Sequence, residues 1–300
     1  MRIAITGSSG LIGSALAKQL QRHNHDVVRL VRRAPRPGEA RWNPAAGTIE
    51  SAALEGLDAA VHLAGAGIGD HRWTPRYKRE ILDSRTQGTA LLARTLAELN
   101  GPPRVLLSGS AIGFYGPCGD EVLDESSPAG TDFLADACVQ WEAAASRAQE
   151  AGIRTVFLRS GIVLSPEGGA LQKQLPLFKL GLGGRFGSGR AWQSWISLTD
   201  EINAIEYLLT SDVHGPVNLT APNPVINAEF AKTLGRVLHR PAVLPIPTFG
   251  PKLLLGSELA TALLFSGQRV SSNKLCGSGF SFAHDTLESA LRDLLHKPAA

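Results

Sequence analysis

Short apolar runs alternate with longer amphipathic segments through the first half of the chain. Each run is rich in Val, Ile, Leu and Ala and is closed by small or polar residues, as in strands buried on both faces of a sheet. In the first amphipathic segment Ile12, Leu16 and Leu20 recur every four residues and line one face of a helix. The alternation predicts an α/β fold with a doubly wound parallel sheet.

The same pattern locates the elements and suggests a division of the chain. The predicted strands are residues 2–6, 26–33, 59–65, 104–110, 154–160 and 216–219. The predicted helices after the first are a long one marked by apolar residues from 81 to 99, and 132–151, 200–211, 227–239, 252–265 and 285–296. Glycine and proline interrupt the rhythm between 165 and 190. We therefore expect a larger domain over 1–165, rejoined by 200–220, and a smaller C-terminal lobe over 166–199 and 221–300.

The bulk composition is that of an ordinary globular protein. Of the 300 residues 43% are hydrophobic and 19% are charged, and the net charge of +3 includes no long run of Lys or Arg. This gives no indication of nucleic-acid binding. The three cysteines lie far apart, which favours neither a disulfide framework nor a metal site. With no leader segment and no long apolar span, we expect a cytoplasmic protein that does not bind membranes.

The strongest local signal is the segment 6–13, TGSSGLIG, which joins the first strand to the first helix. Gly7 permits the tight turn, Gly10 lets backbone approach a pyrophosphate, and Gly13 lets the helix pack closely on the strand. The loop and the first helical turn, whose free N–H groups attract phosphate, also include Ser9, Leu11 and Ile12. The motif predicts that 1–165 is a Rossmann domain that binds a dinucleotide. The alternative is a glycine-rich turn without a ligand.

The end of the second strand bears on which dinucleotide is bound. Proteins that bind NAD commonly have an acidic residue there, which accepts hydrogen bonds from the ribose hydroxyls. This chain has Arg32 and Arg33 instead. An acid would repel a 2′-phosphate, whereas a guanidinium pairs with phosphate bidentately, so the two arginines favour NADP(H). The alternative is a pair of solvated surface arginines.

Further motifs extend along nearly the whole chain. They are HLAG at 62–65, RWT at 72–74, SGS at 108–110, FYG at 114–116, WE at 141–142, RSGIVL at 159–164, the glycine-rich stretch 181–190, WI at 195–196 and Asp200. With the glycine loop, they make the chain resemble the extended short-chain dehydrogenase/reductase superfamily. The resemblance is closer to an atypical subfamily of epimerase-like proteins with no assigned reaction. It implies a Rossmann fold and a small-molecule substrate.

The resemblance also implies cofactor contacts outside the glycine loop. They are Leu63, Ala64 and Gly65, on the path from adenine to nicotinamide, and Asn43, where the superfamily often has an acid near the adenine. Arg85 stands shortly before a Gly-Thr pair, and its side chain is long enough to reach the cofactor. Alternatively, Arg85 and Glu80 form a surface pair on a helix.

The superfamily's proton-transfer pair, Tyr and Lys spaced Y-x-x-x-K on one helix, is missing from this chain. The lysine normally lowers the tyrosine pKa so that the phenol can shuttle a proton. Counting back from Glu142, the two places hold Leu134 and Cys138. The remaining candidates for catalytic contacts are Ser110, which aligns with the usual carbonyl-binding hydroxyl, and Tyr115, which follows the same strand. Tyr115 can equally be a packing residue.

Two functions therefore stay open. The first is an NADP(H)-dependent oxidoreductase or epimerase that acts on a small hydroxyl or carbonyl compound through a non-standard proton donor. Gln193 replaces an arginine of many sugar-nucleotide enzymes, which weakens the case for a diphosphate-bearing sugar. The second is an NADP(H)-binding sensor or assembly factor without turnover, which a cleft filled by Phe133, Leu134 and Trp195 would favour. A homodimer is an option in either case.

Overall fold

A sheet of eight strands organises the part of the chain that the computed structural model describes, residues 1–296. The strands of this region, six of which form separate pairs outside the large sheet, are β1 (Arg2–Thr6), β2 (Asp26–Val31), β3 (Glu39–Asn43), β4 (Thr48–Ile49), β5 (Ala59–His62), β6 (Val105–Ala111), β7 (Val122–Leu123), β8 (Arg154–Ser160), β9 (Ile162–Leu164), β10 (Trp192–Gln193), β11 (Trp195–Ser197), β12 (Gly215–Leu219), β13 (Val225–Ile226) and β14 (Arg269–Val270). The order across the sheet is β12-β8-β6-β5-β1-β2-β3-β4. Neighbouring strands are parallel except for the edge pair β3 and β4.

Helices cover both faces of this sheet and form most of the C-terminal region. They are α1 (Leu11–Arg22), α2 (Pro75–Ala97), α3 (Phe133–Ala143), α4 (Ser146–Glu150), α5 (Gly169–Lys179), α6 (Leu198–Thr210), α7 (Asn227–Val237), α8 (Phe249–Leu255), α9 (Ser257–Ala260), α10 (Asn273–Gly277) and α11 (Leu287–His296). A short 3-10 turn, Ile112–Tyr115, follows β6. No helix within 1–296 combines the length and apolar character needed to cross a bilayer.

The strand order explains where a ligand can bind. From β1 the chain moves outward to β2 and β3, and then returns to place β5 on the other side of β1. In open parallel sheets the crevice at such a reversal, beyond the carboxyl ends of the strands, is the ligand site. The register aligns those ends, because Thr6 pairs with His62 and His62 pairs with Ser108. The predicted doubly wound α/β class is confirmed.

Separate apolar clusters hold the layers together. One packs α1 and α6 on one face of the sheet, and another packs α2 and the region of α4 on the other face. A third joins α5, α7 and α11 and includes the fully buried Trp195. The strand β12, within 200–220, pairs with β8 in the main sheet. The boundaries of the predicted substrate lobe stay a prediction.

The C-terminal region is tied to α6 through a buried carboxylate. Asp200 is fully buried and accepts hydrogen bonds from the backbone N–H groups of Ala283 and His284, at 2.7 and 3.1 Å. The Ser197 hydroxyl donates to the same carboxylate, and the ring of His284 lies between Asp200 and Asp293 at 3.3 Å from each. The geometry of β11 and α6 thus depends on residues far along the chain.

Several local predictions differ from the structure. The predicted helix 252–265 is broken at Gly256 into α8 and α9. The alanine-rich segment 132–151 is two helices, because the chain turns at Ala144 and Ala145 and buries Ala145 and Ala148 against the sheet. Alanine favours helix throughout, so the sequence carries no sign of this break. The strand β3 was not predicted, since only Ala40 and Trp42 are buried in it. The segment 165–190, where glycine and proline interrupt the pattern, contains the helix α5.

Candidate functional site

The glycine loop has the geometry that phosphate binding requires. Gly7 lies directly after β1 with φ +66°, a left-handed conformation that favours glycine. Gly10 caps α1 without a side-chain hydrogen bond, so the first N–H groups of the helix, from Leu11 and Ile12, are left for a ligand. A Cβ atom on Gly13 would lie only 2.3 Å from the Gly7 carbonyl oxygen. The loop is thus tightly closed on itself, and Ser9 and Gly10 are exposed at its tip.

A buried threonine joins this loop to the next strand end. The Thr6 hydroxyl oxygen accepts hydrogen bonds from the N–H groups of Leu63 and Ala64, at 3.1 and 3.2 Å. It also lies 2.7 Å from Nδ1 of the fully buried His62. Because both lone pairs of the hydroxyl are occupied, its proton goes to Nδ1, and Nε2 of the imidazole carries the ring proton. The predicted contact segment 63–65 is therefore held beside Gly7.

His62 was missed as a site residue because its role depends on strand register. Burial lowers the pKa of its imidazole to about 4, with a smaller contribution from the nearby charge of Arg85. The ring is therefore neutral at neutral pH. Its Nε2 is buried without a hydrogen-bond partner among residues 1–296. A neutral histidine that supports a loop is a positioning residue rather than an acid or base.

The two arginines after β2 have different environments. Arg33 donates to both carboxylate oxygens of Glu39, at 2.5 and 2.7 Å, and this pairing helps hold the pKa of the Glu39 carboxyl at about 2. Arg32 is exposed and has no ion-pair or hydrogen-bond partner within residues 1–296. Asn43 ends β3, where its side chain accepts from the Ala46 N–H and caps a short helical turn. Arg32 is therefore the better placed of the two to meet a phosphate.

Arg85 is half-buried in α2 at the carboxyl end of β5. Its Nη1 donates to the carbonyl oxygens of Ala66 and Ile81, at 2.9 and 3.1 Å. The guanidinium stacks on the Trp141 ring, 4.9 Å from the centroid, and lies against Gly65. It makes no ion pair with Glu80 or with any other carboxylate of the described chain, so the surface-pair alternative is wrong.

Ser110 and Tyr115 are brought together by a buried ion pair. The Ser110 hydroxyl donates to Glu142 at 2.6 Å, and Arg159 donates to both oxygens of the same carboxylate, at 2.8 and 2.9 Å. Arg159 also donates to the Tyr115 hydroxyl at 3.1 Å, which in turn donates to Asn218 at 2.7 Å. Ser110 and Tyr115 are the two residues that the sequence singles out as candidate catalytic contacts.

The network limits what these two hydroxyls can do. Tyr115 is 1% exposed, and burial raises the pKa of its phenol above the ordinary value. Ser110 is also buried, and its proton is directed toward Glu142. Their assignment as catalytic contacts stays a prediction, and the observed geometry favours a structural role for Tyr115. Cys138, at the usual lysine place, is buried with its thiol pKa raised to about 12, so it supplies no thiolate.

A second buried carboxyl lies at the end of β8. Glu201 accepts a hydrogen bond from the Ser160 hydroxyl at 2.6 Å, while its other oxygen is buried without a partner among residues 1–296. Burial raises the pKa of this carboxyl to about 7. The pattern of the sequence did not single out Glu201, because it sits one residue after Asp200 in an ordinary helix start.

The raised pKa of Glu201 predicts that the stability of the protein depends on pH. A folded-state pKa above the unfolded value of 4.5 means that its stabilising effect is complete below pH 4.5 and is lost as the pH rises through about 7. Glu201→Gln should remove that loss, making the variant more stable than wild type by up to about 3 kcal/mol at pH 8 and little different at pH 4.5. Urea unfolding at both pH values measures this. If the difference in free energy of unfolding between Glu201→Gln and the wild type is the same at both pH values, the raised pKa of Glu201 is wrong.

The comparisons with known proteins agree with this geometry. The model of the NAD dependent epimerase/dehydratase family matches residues 3–220. The chain belongs to this family. A domain of unknown function (DUF1731) matches residues 246–294, which include α8, α9 and α10.

Individual relatives match along the whole chain. An epimerase family protein from Mycobacterium bovis is 45% identical over 291 residues, covering 96% of each chain. The crystal structure of the human epimerase family protein SDR39U1 with NADPH is 35% identical, with a TM-score of 0.90 over 98% of this chain and 99% of that one. A nucleoside-diphosphate sugar epimerase structure from Corynebacterium glutamicum is 38% identical, with a TM-score of 0.79 over 98% of this chain and 58% of its own.

These matches confirm the resemblance inferred from the motifs and the Rossmann fold. The family name and the NADPH in the human structure agree with the predicted cofactor. They identify neither a substrate nor the residues that act on it. The predictions of a cytoplasmic location and of a homodimer stay predictions.

Proposed function

We propose that this chain binds NADP(H) across the carboxyl ends of β1, β2, β5 and β6. The observation that carries the proposal is the closed glycine loop, whose backbone fits only glycine at Gly7 and Gly13 and leaves the start of α1 open. The pyrophosphate would lie on the N–H groups of Leu11 and Ile12 beside Ser9 and Gly10. The human relative crystallised with NADPH supports the same cofactor.

The remaining cofactor contacts follow from the order of the strands in the sheet. Arg32 would hold the 2′-phosphate of the adenosine, with Arg33 behind it and Asn43 at the end of β3 near the adenine. The segment of Leu63, Ala64 and Gly65 would line the path toward the nicotinamide, which supplies or accepts hydride when bound. The cleft beside β6 would then receive a small hydroxyl or carbonyl compound, and the protein would act as an oxidoreductase or epimerase.

The site differs from the standard enzymes of this superfamily in its proton-transfer groups. The network of Glu142 and Arg159 occupies the hydroxyls of Ser110 and Tyr115, so an enzyme built on this site takes its proton from another group or from water. This favours, as the second candidate, an NADP(H)-binding sensor or assembly factor without turnover. Of the three residues that would fill the cleft in that case, Trp195 belongs to the buried cluster of α5, α7 and α11, and we rank the enzyme first.

The cofactor preference can be tested at the two arginines. Arg32→Ala should reduce the preference for NADPH over NADH by about tenfold, because it removes the unpaired cation nearest the 2′-phosphate. Arg33→Ala should have a smaller effect, because Glu39 already engages that guanidinium. Fluorescence titration of the wild type and both variants with NADPH and with NADH measures the two preferences.

The titration also tests the proposal as a whole. We expect the wild type to bind NADPH at least about tenfold more tightly than NADH. NADH affinity serves as the internal control, since neither arginine should change it. If the wild type binds neither dinucleotide, the proposed function is wrong. If Arg33→Ala has the larger effect, the assignment of the 2′-phosphate to Arg32 is wrong.

A further inference from the structure

Arg85 differs from two other arginines of the main sheet region, Arg159 and Arg154, in the way its donors are used. Arg159 forms a bidentate ion pair with Glu142. Arg154 directs its guanidinium to the carbonyl oxygens at the end of α6 and of Val213. Arg85 uses Nη1 alone, and only toward two carbonyl groups. Its Nε and Nη2 have no partner within residues 1–296, although neither atom is sealed from solvent.

The surroundings of Arg85 are rich in donors and poor in acceptors. The indole N–H of Trp141, on which the guanidinium stacks, is buried without an acceptor among the described residues. The ring nitrogen Nε2 of His62, whose charge state Arg85 influences, is also unpartnered. Burial lowers the pKa of Arg85 itself, and no carboxylate among residues 1–296 is paired with it. The local potential is therefore positive, and a half-buried site strengthens it.

Nε and Nη2 form one edge of the planar guanidinium, and this edge matches two oxygen atoms of a planar anion. Stacking on Trp141 and contact with Gly65 hold the plane of the group in place. The position beside β5 and β6 is on the nicotinamide half of the proposed cofactor path. An acceptor that meets this edge would therefore lie next to the reacting end of the cofactor.

The neighbouring cations are already used, which bears on the charge of the ligand. Arg72 donates to the backbone carbonyls of Leu253 and Leu254. Lys78 is paired with Glu258 and lies over the Phe133 ring. Of these three cations, only Arg85 keeps a free Nε and Nη2 edge within residues 1–296. A single guanidinium edge suits a carboxylate with one charge better than a phosphate dianion.

We propose that Arg85 binds the carboxylate of the substrate, so that the substrate class is a small hydroxy or oxo acid rather than a neutral sugar or alcohol. This inference rests on the proposed NADP(H) site. The sequence suggested that Arg85 contacts the cofactor directly, and this inference assigns it to the substrate instead. Contact with the neutral ribose hydroxyls of the cofactor would leave the charge of the guanidinium uncompensated.

Calorimetric titration of the NADP⁺-saturated protein tests this with lactate and pyruvate as the carboxylate probes. Their neutral amides, lactamide and pyruvamide, and inorganic phosphate are the comparison ligands. We expect a carboxylate probe to bind the wild type and its amide not to bind. Arg85→Gln should weaken that binding by at least about tenfold, whereas Arg85→Lys should keep part of it because it retains the charge without the planar edge. Arg79→Gln, which removes an exposed charge from the same helix, should behave as wild type.

The outcomes separate this inference from the proposed function. NADPH affinity is measured on the same proteins. If the wild type does not bind NADPH, the proposed function itself is wrong. If NADPH binds but no carboxylate probe does, or phosphate binds more tightly than both, the inference is wrong. It is also wrong if Arg85→Gln binds the carboxylate as wild type does, or if it weakens NADPH instead.

Discussion

Replacing Gly13 with alanine should abolish NADPH binding and lower the free energy of unfolding by about 3 kcal/mol. The added Cβ would lie 2.3 Å from the Gly7 carbonyl oxygen and 2.8 Å from its carbon. Both atoms belong to the backbone of the loop, so relief requires moving the loop or the start of α1. Urea unfolding measures the loss of stability, and a fluorescence titration with NADPH measures the loss of binding.

Gly10→Ala separates the cofactor contact from the packing. A Cβ there would meet only the Gly7 carbonyl oxygen, at 3.3 Å, and would point into open space. Stability should therefore change by no more than about 1 kcal/mol, the usual cost of alanine at a helix N-cap. NADPH affinity should fall by about tenfold or more, because the methyl group occupies the approach to the pyrophosphate.

Gly101→Ala is the matched control for both variants, because no atom lies within 4 Å of the added Cβ. It should change neither stability nor affinity. Wild-type NADPH binding by Gly10→Ala would contradict the placement of the pyrophosphate on this loop. Wild-type stability of Gly13→Ala would contradict the close contact between α1 and the turn.

Glu142→Leu should destabilise the protein by about 3–5 kcal/mol, the usual cost of leaving a buried charge without its partner. The side chains of Arg159 and Glu142 are 4% and 12% exposed, so water cannot replace the lost carboxylate. The loss also removes the acceptor of the Ser110 hydroxyl. Urea unfolding at neutral pH gives the size of the effect.

Removing both charges of the Glu142–Arg159 pair should lower the free energy of unfolding less than removing the Glu142 charge alone. The double variant Glu142→Leu with Arg159→Met replaces the pair by apolar groups of similar volume, which often recovers most of the stability. Arg147→Met is the control, because its ion pair with Glu150 is exposed at 66% and 57% and should contribute less than about 1 kcal/mol. A double variant less stable than Glu142→Leu would show that Arg159 contributes mainly through its contacts with Tyr115 and Phe114.

Local patterns in the sequence determined the fold class and predicted one half of the candidate site. The strands Arg2–Thr6 and Arg154–Ser160 were predicted to the residue, and most other sheet strands to within a few residues. The glycine loop was predicted together with its strand and helix. Such features depend on apolar periodicity and on backbone conformations that few residue types adopt, and both are properties of neighbouring residues in the chain.

The tertiary structure decided which side chains are available for chemistry. The sequence presents Arg32 and Arg33 alike, but only the pairing across β2 and β3 shows that Glu39 occupies Arg33. Likewise, Glu142, 32 residues after Ser110, takes up its hydroxyl, and Asn218, 103 residues after Tyr115, accepts from its phenol. A hydrogen bond or a burial that depends on segments so far apart leaves no local pattern, because it is created only when the strands come into register.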